Sequence, residues 1–143
     1  MKVMTEQQWR AFISEGQRFG KLATVRANGR PHIAPLWFVA DGDDIVFTTG
    51  IETVKGRNLT RSGHAALLVH DDRTPYRYVS IEGPVTISDD RDEAVRWAVA
   101  IARRYVGEAK AEQVGSDNVL INKEVAVRLT GAKVTALDEL DKL

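Results

Sequence analysis

Residues 19–49, FGKLATVRANGRPHIAPLWFVADGDDIVFTT, contain three predicted strands separated by two turn signals. The strands are Phe19–Arg26, Pro31–Val39 and Ile45–Thr49. Asn28-Gly29 and the segment 41–44 (DGDD) are typical of tight turns. Because short connections join them, we expect the three strands to form an antiparallel meander. The two prolines of the middle strand cannot donate to a ladder, so this strand should lie at an edge or contain a bulge.

The rest of the chain predicts short helices between further strands. Thr5 and Gln8 have the spacing of a capping box, which begins a helix that ends near Gly16. Two more helices are predicted from Thr53 to about Ser62 and from Asp90 to about Val106, and three more strands at His64–His70, Tyr76–Ile87 and Val125–Thr130. Residues 107–123 are polar and receive no assignment. The pattern predicts a mainly β fold with short α-helices, in which six antiparallel strands form one curled or closed sheet in a single domain of residues 1–143.

The composition limits the partners of the protein. Lysine plus arginine balances aspartate plus glutamate at 20 each, which gives no bulk attraction to nucleic acid or to an anionic membrane. No apolar run approaches the ~20 residues that span a bilayer. The first eight residues lack the basic and apolar segments of a signal peptide. We therefore expect a cytoplasmic protein with no nucleic-acid or membrane partner.

Several kinds of chemistry are excluded or disfavoured. The chain has no cysteine, which rules out a disulfide scaffold, a thiolate metal site and a cysteine nucleophile. Its three histidines do not have the spacing of metal ligands, so no metal is expected. Neither a G-x-G-x-x-G fingerprint nor a P-loop is present. A Rossmann nicotinamide site and P-loop chemistry are thereby disfavoured.

The strand-to-helix junction at residues 47–59, FTTGIETVKGRNL, is a candidate phosphate site. The helix begins with Thr53, and Lys55 lies in its first turn. A lysine is unfavourable there because the N-terminal end of the helix dipole is positive, unless an anion lies between the lysine and the free amides. Arg57 and Asn58 add two further donors nearby. A solvated helix start without a ligand is the alternative, and the residues alone favour neither.

A second candidate is the segment Pro35-Leu36-Trp37-Phe38. Proline leaves ladder bonds unmade, and large apolar side chains beside it could form a flat wall for a planar ring. A core strand with two aromatic residues is the alternative, and taken alone the segment favours it.

A third candidate is the pair Arg77 and Tyr78, which begins a long strand. Arginine and tyrosine are common anchors of protein interfaces, and they are also common surface residues.

In this order, the segments resemble the pyridoxamine phosphate oxidase-like, flavin-binding split-barrel superfamily. The resemblance rests on the N-terminal helix and on residues 20–25 (GKLATV), 29–38 (GRPHIAPLWF), 48–59 and 77–83 (RYVSIEG). It covers about residues 5–106 and the last strand, and it implies a six-stranded antiparallel split β-barrel that works as a homodimer. PLWF followed by KGRNL is most similar to the actinobacterial deazaflavin-dependent branch, whose members use coenzyme F420.

The resemblance also implies which residues bind the cofactor. The phosphate would be held by Lys55, Arg57 and Asn58 together with Thr48, Thr49 and Thr53. The backbone of Pro35, Leu36, Trp37 and Phe38 would face the tricyclic ring. Arg77 and Tyr78 would reach the cofactor of the neighbouring subunit, because the family builds its site across a two-fold interface.

The implied activity is that of an F420-dependent oxidoreductase, in which reduced deazaflavin delivers a hydride to a small conjugated or planar acceptor. Tyr78 or solvent would supply the proton. FMN in place of F420, and a cofactor-binding protein without turnover, remain open alternatives. Residues 136–143 (ALDELDKL) lack the arginine and histidine with which pyridoxamine phosphate oxidases bind the substrate phosphate. Oxidation of vitamin B6 is therefore not expected.

Overall fold

Within residues 1–142, which the computed structural model describes, the chain forms one antiparallel sheet of nine strands and four helices. The strands are β1 Lys2–Val3, β2 Gly20–Val25, β3 Pro31–Leu36, β4 Val39–Asp41, β5 Asp44–Gly50, β6 His64–Asp71, β7 Arg77–Ser88, β8 Glu124–Thr130 and β9 Lys133–Asp138. The helices are α1 Glu6–Ser14, α2 Val54–Ser62, α3 Arg91–Val106 and α4 Glu108–Leu120. The β-rich antiparallel fold with intervening helices is confirmed.

The sheet curls around β7, its longest strand. The strand order is β3-β2-β6-β7-β8-β5-β4, and β9 pairs with both β7 and β1. Residues 77–84 of β7 pair with β6, whereas residues 85–88 pair with β8. Near the end of the first stretch, a Cβ atom on Gly83 would lie 1.9 Å from the carbonyl oxygen of Thr130. Only glycine permits this close approach, and Gly83-Pro84 lies where β7 changes neighbours.

The prediction of six strands is wrong, because short and weakly patterned segments also pair. The segment 31–39 is divided: β3 pairs with β2, whereas β4 pairs with β5. Trp37 and Phe38 form the corner between these two ends of the sheet. β1 has two residues and hence no periodicity, and Ala136 is the one buried residue of β9.

Three helices begin at the caps that the sequence indicates. In the capping box, the N–H of Gln8 donates to Thr5 Oγ1 at 3.2 Å and the N–H of Thr5 donates to Gln8 Oε1 at 2.8 Å. Thr53 caps α2 by accepting from the N–H of Gly56 at 3.1 Å. Asp90 caps α3 through its side chain. The segment without an assignment contains α4, which packs against α3.

Two hydrophobic layers hold these elements in place. The first fills the curled sheet and includes Phe38, Phe47, Leu22, Leu67, Ile81 and Leu129, with Phe12 and Ile13 of α1 packed against them. The second lies between α3, α4 and the sheet, where α3 contacts β5 and β8. None of the helices in residues 1–142 is long and apolar enough to cross a membrane. The cytoplasmic location stays a prediction.

Candidate functional site

A cleft of about 280 Å³ opens where the start of α2 meets β5, α3 and α4. Five of the predicted cofactor-binding residues line it: Pro35, Leu36, Trp37, Thr48 and Lys55. Phe19, Ala98, Ile101, Asn118 and Glu124 complete the lining. The fold thus brings the candidate ring wall and the candidate phosphate site to one cleft.

Lys55 is the cation of this cleft. It is the second residue of α2, next to N–H groups that have no partner inside the helix. Its side chain is half-buried, and within residues 1–142 its ammonium makes no ion pair or hydrogen bond. By contrast, Arg57 is exposed and pairs with Glu52 at 3.4 Å. A half-buried cation beside free amides can bind an anion such as a phosphate.

Phe19 and Trp37, which line the cleft, belong to a fixed aromatic cluster. The ring of Trp37 stacks on Tyr105, with centroids 5.2 Å apart and planes 4° apart, and Phe19 meets both rings edge-on. The Tyr105 hydroxyl donates to the carbonyl of Arg18 at 2.7 Å. Burial raises the pKa of Tyr105, so this hydroxyl keeps its proton. The Trp37 indole is therefore held in one orientation as a flat apolar surface.

Arg104 fixes the corner from which Trp37 projects. Its guanidinium donates to the carbonyl oxygens of Phe38 (2.9 Å), Ile13 (2.8 Å) and Gly16 (3.0 Å), and it lies 4.7 Å from the centre of the Phe38 ring. Burial lowers the pKa of Arg104. The N–H of Phe38 contacts the Tyr105 hydroxyl at 3.4 Å. Both backbone groups of Phe38 are therefore engaged within the chain, whereas Pro35, Leu36 and Trp37 line the cleft.

A carboxylate also lies in the cleft. Glu124 begins β8 and accepts a hydrogen bond from the Thr48 hydroxyl at 2.7 Å. Asn118 of α4 lines the cleft close by. No sequence motif indicates Glu124, Asn118, Phe19 or Tyr105 as residues of a site. One signal was available for Tyr105, because it follows Ile101 by four residues and therefore lies on the same face of α3.

The other residues predicted near the phosphate have different surroundings. Asn58 is buried, donates to Thr24 Oγ1 at 3.0 Å and accepts from Arg61 at 3.1 Å. Thr49 is 1% exposed, and within residues 1–142 its hydroxyl has no hydrogen-bond partner. The Thr53 hydroxyl donates to Gly50 at 2.7 Å in addition to capping α2. None of these side chains lines the cleft in the single chain.

Arg77 and Tyr78 lie in a second depression, of about 600 Å³. Its lining comprises Leu68, His70, Asp71, Asp72, Tyr76, Arg77, Tyr78 and Leu140. Arg77 pairs with Asp71 at 3.0 Å. In one chain, this pair does not reach the cleft that contains Lys55.

The curled half-barrel sheet and the cleft beside it define a split barrel of the flavin-binding type. The chain belongs to the pyridoxamine 5'-phosphate oxidase family, whose model matches residues 5–136.

Solved structures agree with this membership. A conserved hypothetical protein from Mycobacterium tuberculosis is 28% identical with a TM-score of 0.82, over 96% of this chain and 87% of that one. An F420 reductase is 27% identical with a TM-score of 0.69, over 87% of this chain and 94% of that one. The heme storage protein from Vibrio cholerae shares the fold at 18% identity, with a TM-score of 0.70 over 94% of this chain and 95% of that one.

Proposed function

We propose that the protein is an F420-dependent oxidoreductase that transfers a hydride from the reduced deazaflavin to a small conjugated or planar acceptor. The observation that carries this proposal is the Lys55 ammonium at the start of α2, which has no ion-pair partner within residues 1–142 and lies in the same cleft as the fixed Trp37 indole. An F420 reductase of similar structure, 27% identical to this chain, supports the choice of cofactor.

The residues of the cleft fit a molecule with a phosphate and a planar ring. Lys55 and the free N–H groups of α2 would hold the phosphate, and Trp37 with the backbone of Pro35 and Leu36 would lie against the ring. Arg57 is exposed on the same helix, and it could leave its solvent-exposed pair with Glu52 to turn towards an anionic tail. The volume of about 280 Å³ is just below the roughly 300–1,000 Å³ of small-molecule pockets. One chain therefore offers a partial site.

A second copy of the chain would complete this site in a homodimer. Arg77 and Tyr78 lie outside the cleft of their own chain, so they are available to a cofactor held by the partner. The outer sheet face, defined here by Lys21, Ala23, Ile33, Ala66, Leu68 and Ser80, consists of exposed or half-buried residues on neighbouring strands. Apart from Lys21, these side chains are small or apolar, and such side chains are suited to close contact with a second copy.

In the proposed reaction the protein positions groups, and the cofactor carries the chemistry. When bound in its reduced form, the deazaflavin would supply a hydride and become oxidised, and the acceptor would take up this hydride and one proton. Trp37, which Tyr105 and Arg104 hold in place, would cover one side of the ring and exclude water. Tyr78 or solvent would donate the proton to the reduced acceptor.

Titration of the purified apoprotein with F420 and with FMN tests the cofactor assignment, because both ligands are fluorescent. We expect F420 to bind more tightly. Lys55→Ala should weaken binding by about 1.5–3 kcal/mol, the loss of a charge-assisted hydrogen bond, which corresponds to about 10- to 150-fold in Kd. Lys110→Ala is the matched control, because Lys110 is an exposed lysine in the first turn of α4.

Each other outcome has a definite meaning. Equal affinity of wild type and Lys55→Ala would contradict the phosphate site at α2. Tighter binding of FMN than of F420 would show that the cofactor of this cleft is a flavin and not a deazaflavin. A further outcome is that the protein binds F420 tightly while no planar acceptor oxidises the reduced cofactor. That result would contradict the enzymatic part of the proposal and would indicate a cofactor-binding protein without turnover.

A further inference from the structure

A carboxylate shares the cleft with the Lys55 ammonium. Among the described residues that line the cleft, Lys55 is the one cation and Glu124 the one carboxylate, so the lining has no net charge. On the same helix as Lys55, the exposed Arg57 pairs with Glu52 at 3.4 Å, which balances its charge as well. A phosphate that enters the cleft therefore meets charged groups of both signs.

The register of the sheet places Glu124 at the start of α2. Glu124 is the first residue of β8 and is directly opposite Gly50, the last residue of β5. The carbonyl oxygen of Gly50 accepts from the N–H of Thr53 at 3.2 Å and from its hydroxyl at 2.7 Å. Because Thr53 caps α2, strand pairing holds Glu124 near the helix end that carries Lys55.

Thr48 holds the Glu124 carboxylate apart from Lys55. The Thr48 hydroxyl donates to Glu124 Oε1 at 2.7 Å, the length of a charge-assisted bond. Within residues 1–142 this is the one hydrogen bond of the carboxylate, and Glu124 forms no ion pair with Lys55 or with another cation. Since its proton is used in this bond, the Thr48 hydroxyl presents only acceptor lone pairs to a ligand. The negative charge of Glu124 is therefore uncompensated in the cleft.

We propose that Glu124 makes the cleft select a singly charged phosphodiester over a doubly charged phosphate monoester. The proposal rests on the proposed function and adds the phosphate class of its cofactor, since the phosphate of F420 is a diester and that of FMN a monoester. A monoester has a charge of about −1.5 to −2 at pH 7, whereas a diester has one ionised oxygen. Repulsion from Glu124 grows in proportion to this charge, and Lys55 alone does not offset the desolvation of the second charge.

FMN and its monomethyl phosphate ester test this selection, because they share the ring and the ribityl chain and differ in one phosphate charge. Binding to the full-length apoprotein is measured by flavin fluorescence at pH 8 and low salt, with riboflavin as the probe that lacks a phosphate. We expect wild type to bind the ester at least about threefold more tightly than FMN. The preference should shrink in about 0.5 M salt, which screens the charges.

Glu124→Gln removes the charge and keeps the size of the side chain. It should raise the affinity for FMN about tenfold and that for the ester about threefold, because the free energy of the lost repulsion doubles with the second charge. Riboflavin should bind as it does to wild type. Glu124→Asp retains the charge and should keep the wild-type preference.

Glu112→Gln is the matched control for the loss of one negative charge. Glu112 is an exposed carboxylate of α4 that does not line the cleft. Its replacement should leave the affinities for FMN, the ester and riboflavin unchanged, so a gain that equals the gain in Glu124→Gln would reduce the effect to net charge and overturn the proposal.

The other outcomes separate the role of Glu124 from the choice of cofactor. Equal gains for FMN and the ester in Glu124→Gln would overturn the charge selection, as would an equal gain for riboflavin. If wild type binds F420 and no flavin, Glu124→Gln should acquire FMN binding, and its failure to do so would contradict the selection. Failure of F420 to bind would overturn the proposed function instead, and a threefold change in the ratio of FMN to ester affinity would then still support the role of Glu124. Absence of binding by all four ligands would overturn the phosphate site at α2 and the selection with it.

Discussion

Asp71 is the buried charge that organises the Arg77 side of the sheet. Its carboxylate lies 3.2 Å from Arg18, 3.2 Å from Arg73 and 3.0 Å from Arg77, and the N–H of Arg73 donates to it as well. Arg18 and Arg77 also contact the Phe12 ring, at 4.4 and 4.6 Å from its centre. The hydrogen bonds from Arg73 and Arg77 hold the pKa of Asp71 well below its ordinary value of 3.8. Asp71 therefore links β6, β7 and the end of α1.

Asp71→Asn should lower the free energy of unfolding by about 1.5–3 kcal/mol at neutral pH, because hydrogen bonds to a charged acceptor become neutral ones. The folded protein binds fewer protons at Asp71 than the unfolded chain does. The stability from this group is therefore complete well above pH 3.8 and is lost as the pH falls through the lower folded pKa. Urea unfolding followed by tryptophan fluorescence measures both effects. The difference between wild type and variant should shrink below about pH 4, whereas the exposed control Asp72→Asn should show little difference at any pH.

The sequence predicts the role of a residue best where that role depends on its neighbours along the chain. The position of Lys55 follows from the strand end before it and from the cap at Thr53. Asn58 belongs to the candidate phosphate segment and Phe38 to the candidate ring-binding segment, but contacts with distant residues decide their positions. Asn58 binds Thr24, and Phe38 binds Arg104. These partners are 34 and 66 residues away, and no spacing rule indicates them.

At the scale of elements, the sequence shows the strands and helices that have a clear period or a cap. It does not show α4, whose buried residues are Ala111, Gly115 and Val119. These buried residues recur only at every fourth position, and the central one is a glycine. The apolar stripe is therefore too narrow, and its side chains are too small, for the sequence pattern to predict a helix. The corner at Trp37-Phe38 is hidden for another reason, because β3 and β4 form one continuous run of strand-like residues. Their separation depends on which neighbours pair with them.

Gly115 sets the distance between α3 and α4. A Cβ atom at this position would lie 2.5 Å from the backbone of Val99 and 2.7 Å from that of Ala98, so the helices would have to move apart. Gly115→Ala should destabilise the protein by about 1–2 kcal/mol, because overpacking outweighs the gain in helix propensity. Ser116→Ala on the same helix is the control and should change stability by less than about 0.5 kcal/mol.

The helix separation also bears on the cleft. Ala98 of α3 and Asn118 of α4 both line it, so Gly115→Ala should weaken cofactor binding as well as folding. Chemical unfolding measures the first effect, and fluorescence titration with F420 measures the second. A variant as stable as wild type would show that α3 and α4 can adjust their packing without cost.

At the scale of the whole molecule, the two candidate sites lie on one chain without meeting. Lys55 and Trp37 line the cleft, whereas Arg77 and Tyr78 line the second depression. The outer sheet face includes Ile33, which is 67% exposed, and the half-buried Leu68. A two-fold pairing of this face is the homodimer that the proposed two-subunit site requires. The proposed function thus depends on the oligomeric state.

Ala66→Arg tests this dependence, because Ala66 is a half-buried residue of β6 opposite Ala23 on β2 and Glu82 on β7. A long charged side chain there would separate two packed sheet faces while leaving the fold of each chain intact. In light scattering at micromolar concentration, wild type should have twice the mass of the chain and the variant the mass of one chain. F420 affinity should fall together with the dimer, because Arg77 and Tyr78 of the partner are removed from the site. Ile121→Arg, with the same charge added at an exposed position, should remain dimeric and bind as wild type does. A monomeric wild type that binds F420 tightly would contradict the two-subunit site and would require the cleft of one chain to hold the whole cofactor.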